Sequence, residues 1–130
     1  MFFSGMRRLF RYGFAMQVFI VLLLPVQDVL ANSVRIFTLS ADEWARPRSG
    51  AVIPRMESIK LAMIYWESGA NAAMLLNYPG EDSGELWASE LKDWLISLGI
   101  PSDAILLSPG IQAKDEIRIL VGSRLELLEQ

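Results

Sequence analysis

The chain contains no cysteine and no histidine. Without cysteine the fold has no disulfide staple, so packing alone must hold it together. The two absences together exclude the commonest zinc and copper sites, Ser/His and Cys/His nucleophile systems, haem attachment and thioredoxin-like redox chemistry. Carboxylates, lysine, tyrosine and hydroxyls are what remains for catalysis, no nucleophile motif accompanies them, and the expectation is a non-enzyme with no metal and no cofactor. Clustered positive charge is also scarce. Residues 32–130 hold fourteen acidic against nine basic residues, and their only close basic group is Arg46, Arg48 and Arg55. Nucleic acid, which is held by clustered Lys and Arg, is therefore not an expected partner.

Long hydrophobic runs are limited to one. Arg7, Arg8 and Arg11 precede an uncharged stretch from Tyr12 to Gln27, which carries Val18-Phe19-Ile20-Val21-Leu22-Leu23-Leu24 and is followed by Val29-Leu30-Ala31. A basic front end, an apolar middle and a small residue at the cut site predict a secretory signal peptide over residues 1–31. The alternative, a retained membrane anchor, is opposed by the length of the run, since a bilayer needs about 20 apolar residues. Cleavage leaves residues 32–130 as one domain without a stable membrane span.

The pattern of the remainder predicts the order βαβαββ. Val34–Leu39 is β-rich, and Ala41-Asp42-Glu43-Trp44 can form a turn of helix. Pro47, Gly50 and Pro54 mark a connection, after which Met56, Ile59, Met63 and Trp66 recur at helical spacing up to Gly69. Ala72–Tyr78 reads as a central strand buried on both faces. Asp82 with Glu85 three residues later forms a candidate capping box for a second helix, whose stripe is Trp87, Leu91, Trp94, Leu95 and Leu98 before Gly99. Ala104–Leu107 predicts a third strand ended by Ser108-Pro109-Gly110, and Glu116–Val121 a fourth at an edge, with 122–130 as a short terminal extension. The expected fold is α+β, a two-layer sandwich with both helices on one face of a four-stranded mixed sheet.

The segment Trp94-Leu95-Ile96-Ser97-Leu98-Gly99-Ile100-Pro101-Ser102-Asp103-Ala104-Ile105 resembles the second helix and following strand of OmpA-like domains, and the element order agrees. The resemblance covers roughly residues 34–121. It implies peptidoglycan binding through a loop Asp after the second strand and an Arg on the following helix. Asp82 stands near that Asp, but the Arg position falls at Trp87. The family's closing Asn-Arg-Arg is replaced by Lys114-Asp115-Glu116-Ile117-Arg118, so half of a bidentate clamp is missing. Trp44-Ala45-Arg46-Pro47-Arg48-Ser49-Gly50, Tyr78-Pro79-Gly80-Glu81 and Leu86-Trp87-Ala88 resemble exported proteins of integrative and conjugative elements of proteobacteria. That likeness implies an accessory role in a conjugative transfer apparatus.

Two loops are candidate sites. Trp44, Arg46 and Arg48 are residue types enriched at protein interfaces. An exposed Trp44 favours an interface there, and a buried one favours a core plug. The second loop, with Tyr78, Glu81 and Asp82, follows the carboxyl end of a central strand, where ligands often bind. Its acids repel phosphate at the helix start, and capping is the competing role for Asp82. The reading that follows is a periplasmic binding or assembly module of a Gram-negative envelope, with an envelope protein as partner. Its alternatives are a peptidoglycan-binding domain and a cell-wall hydrolase using the loop carboxylates, although three acids on one exposed loop do not make the facing pair that glycoside hydrolysis needs.

Overall fold

A computed structural model describes residues 34–70 and 72–130, so the predicted signal peptide lies outside the described residues. Strand β1, Arg35–Ser40, runs directly into the single turn α1, Ala41–Trp44, because the Ser40 hydroxyl accepts the Glu43 N–H at 3.1 Å and caps it. After a 3-10 turn at Ile53–Arg55 come helix α2, Glu57–Ser68, strand β2, Ala72–Pro79, and helix α3, Asp82–Ser97. Another 3-10 turn at Ser102–Ala104 leads to β3, Ile105–Ile111, then β4, Glu116–Ser123, and a short helix α4, Arg124–Leu128.

The sheet has the order β1-β4-β2-β3. Strand β4 is antiparallel to both β1 and β2, and β3 is parallel to β2. The fold is thus α+β with a four-stranded mixed sheet, as the pattern predicted. Leu39, Met74, Leu76, Ile117, Ile119 and Val121 of the sheet share one core with Ile59 and Ala62 of α2 and Ala88, Leu91 and Leu95 of α3. Both long helices therefore cover the same face, and the helical spacing of apolar residues marks their buried sides.

Four local expectations are corrected. Strand β4 is interior, not an edge. The alternation around Arg118 suits a strand with one open face, and the backbone neighbours on both sides come from β1 and β2, which sequence periodicity does not reveal. Strand β3 does not stop before Ser108-Pro109-Gly110 but passes through it, because an edge strand tolerates a missing N–H and Gly110 takes φ +103°. Residues 122–130 are not a bare extension. Helix α4 folds onto the second face of the sheet, where Leu127 joins Ala73, Leu75 and Leu120 in a smaller core. A capping box fixes its start, with Ser123 Oγ accepting the Glu126 N–H and Glu126 Oε2 accepting the Ser123 N–H at 3.1 Å.

The fourth correction concerns α3. Its N-cap is Glu81, without a side-chain capping bond, and Asp82 is its first helical residue. The helix begins immediately after β2, and a β-carbon on Gly84 would collide with the Pro79 carbonyl oxygen. That close approach sets the register of the first turn. Asp82 and Glu85 then favour the helix start through its dipole instead of through a capping bond.

Candidate functional site

The connection from Trp44 to Met56 has the composition of a loop but is anchored along its length. Trp44 is only 7% exposed, its ring stacked on Trp87 of α3 with centroids 6.2 Å apart and planes at 29°. The Arg48 guanidinium lies over the Trp44 ring at 4.8 Å. Its Nε and Nη2 reach the two oxygens of Glu90 at 2.9 and 3.3 Å, and its Nη1 donates to the Trp44 carbonyl at 2.8 Å. The fork geometry of arginine makes this possible, since one planar group can meet a carboxylate, a carbonyl and a ring together. At the far end, Val52 and Ile53 donate to the Ser49 carbonyl, both at 3.0 Å, while Ile53 and Met56 are buried.

The anchoring divides the candidate residues. Trp44 is a core plug, and Arg48 is committed to partners within the chain. Arg46 is exposed, and with Arg55 it lines a groove of about 180 Å³ whose other walls are Glu43, Val52 and Met56. Neither guanidinium has a side-chain partner among the described residues, whereas Arg48, Lys114 and Arg118 each form an ion pair. The groove combines two arginines outside any ion pair, one carboxylate and an apolar floor. Two arginines beside apolar side chains have the chemistry to contact a carboxylate and an aliphatic group together.

No family model matches the chain, and no curated protein matches it either.

In the second loop Tyr78 is a core residue and Glu81 pairs with Lys114 at 3.1 Å on the exposed surface. Asp82 and Glu85 are exposed in the first turn of α3. The three acids thus do not converge on one point. Trp87 is engaged with Trp44, and its buried Nε1 has no hydrogen-bond partner among the described residues. Among the described residues no group of three or more acidic side chains could hold a metal ion, and no helix is long and apolar enough to cross a membrane.

The sequence singled out Arg46, Arg48 and Arg55 as a group but did not separate the paired Arg48 from the other two. Glu90, forty-two residues from Arg48, decides that separation, and no local signal connects them. Glu43, Val52 and Met56 were missed for the same reason, because only the folded turn brings them to Arg46 and Arg55.

Proposed function

We propose that the protein is an exported binding or assembly module of the cell envelope, acting without catalysis, and that the groove between Arg46 and Arg55 is where its protein partner docks. One observation carries this reading: two arginines without side-chain partners among the described residues share a concave surface on a loop whose backbone is fixed by Trp44, Arg48 and Ile53. A pre-ordered loop loses little conformational entropy on binding. The partner presents an acidic and aliphatic surface. The setting in a conjugative apparatus rests on the sequence resemblance given above.

The test is capture from membrane and periplasmic extracts by the immobilised protein, with Arg46→Glu/Arg55→Glu alongside. A partner retained by the native chain and lost by the variant, with unchanged circular dichroism, supports the reading. Equal retention by both overturns it. Retention on purified sacculi that Asp82→Ala abolishes would instead put peptidoglycan binding first. Cell fractionation tests export, with the mature protein expected to begin near Asn32.

A further inference from the structure

The two edges of the sheet are built differently. Edge strand β3 is blunted: Pro109 lacks an N–H, Gly110 sits at φ +103°, and the pairing with β2 shifts register after Tyr78. Such features, set in the last part of the strand, oppose the addition of another strand. Edge strand β1 has none of them. It is six residues of Arg-Ile-Phe-Thr-Leu-Ser, without proline, glycine or lysine, and its outer backbone groups face no other described strand. Its single charge, Arg35, lies over the Tyr65 ring at 4.9 Å on the helix side.

The registers show what β1 offers. Ile36 pairs with Leu120, Leu120 with Leu75, and Leu75 with Leu106, so four aliphatic side chains form one row across the face opposite the long helices. Leu75 and Leu120 are buried beneath α4, but Ile36, at the β1 end of the row, is 58% exposed. The adjacent row, Thr38, Arg118, Asn77 and Ser108, is polar. The aliphatic row therefore stops abruptly at an open edge.

We infer that β1 pairs with β1 of a second copy, antiparallel across a two-fold axis at Ile36, to make an eight-stranded sheet. In that register Ile36 faces Ile36 of the other copy, and the two aliphatic rows join into one. Arg35 stands opposite the other copy's Phe37 and Val34 opposite its Thr38, so no like charges are directly opposed. The occupant is a second copy because the row is complementary to itself. The blunting of β3 completes the argument: with one open edge per chain, pairing closes at two and does not propagate into a fibre.

Sedimentation or light scattering across a dilution series of the purified protein tests this directly. The expected result is a concentration-dependent dimer, with Ile36→Lys and Ile36→Asp each monomeric and an equimolar mixture of the two dimeric again. Hydrogen exchange on the unaltered chain supplies a second measurement that survives if a variant misfolds, with β1 amides gaining protection as concentration rises. A monomer at every concentration overturns the inference. So does a dimer that persists in Ile36→Lys, or a mixture that fails to reassociate.

Discussion

Trp44 and Trp87, forty-three residues apart, stack with their centroids 6.2 Å from one another, and Arg48 lies over the same Trp44 ring. The cluster ties the 45–56 connection to α3. Trp44→Ala removes the ring that both Trp87 and Arg48 contact and leaves a cavity, so it is expected to cost about 3–5 kcal/mol in denaturant-induced unfolding. A loss below about 1 kcal/mol would mean that the connection is held by its Ile53 end alone.

The ion pair within that cluster should matter less than its geometry implies. The side chains of Arg48 and Glu90 are 31% and 44% exposed, and solvent screening leaves such a pair worth about 0.5–1 kcal/mol. Glu90→Gln is therefore expected to cost under about 1 kcal/mol. Arg48→Ala should cost more, roughly 1–2 kcal/mol, because it also removes the bond to the Trp44 carbonyl and the contact with the ring. Unfolding curves of the two variants, side by side, separate charge from packing.

Much of this architecture was legible from periodicity and the rest was not, for identifiable reasons. The stripe of Leu91 and Leu95 and the apolar run Met74–Leu76 marked α3 and the central strand correctly, since burial on one or both faces leaves a local imprint. The place of β4 between β1 and β2 left none, because strand order depends on pairing across the chain and Arg118 suits any strand with one open face. Asp82 carried a local capping signal that the Gly84–Pro79 approach overrode by starting α3 one residue earlier. In the candidate loop the sequence supplied the right residue types, but Trp44 turned inward, and the Arg46–Arg55 groove exists only because α1 and the 3-10 turn fold together.

The same Gly84 yields a sharp contrast among glycines. Gly84→Ala drives a methyl group into the Pro79 carbonyl, and the helix must shift off the strand, at an expected cost of about 1–3 kcal/mol or more. Gly50→Ala meets nothing within 4 Å at an ordinary φ and should stay within about 0.5 kcal/mol of the native chain. Thermal unfolding of both variants checks the pair, and equal midpoints would contradict the close approach.

Helix α4 offers a test of the second core. Leu127→Ala should cost about 2–4 kcal/mol, since Leu127 seals Ala73, Leu75 and Leu120. Ser123→Ala should cost about 1 kcal/mol through loss of the capping box. Leu125→Ser, at a position 77% exposed, should change little. A C-terminal segment without a packing role would show no difference between the Leu125 and Leu127 substitutions.

Salt provides the last test, and it bears on function instead of stability. Arg46 and Arg55 are exposed at the groove, so attraction to an acidic partner is screened as the Debye length falls from about 10 Å at 0.1 M to about 3 Å at 1 M. Rim charges act mainly on the rate of association. Binding of the captured partner should therefore weaken with rising salt, mostly through a slower on-rate, and Arg46→Gln/Arg55→Gln should flatten that dependence as well as reduce affinity. Surface plasmon resonance at several ionic strengths reads both quantities. If the neutral variant kept the native salt slope, the charges recognised by the partner would lie elsewhere on the surface, and the groove would lose its assigned role even though the protein still bound.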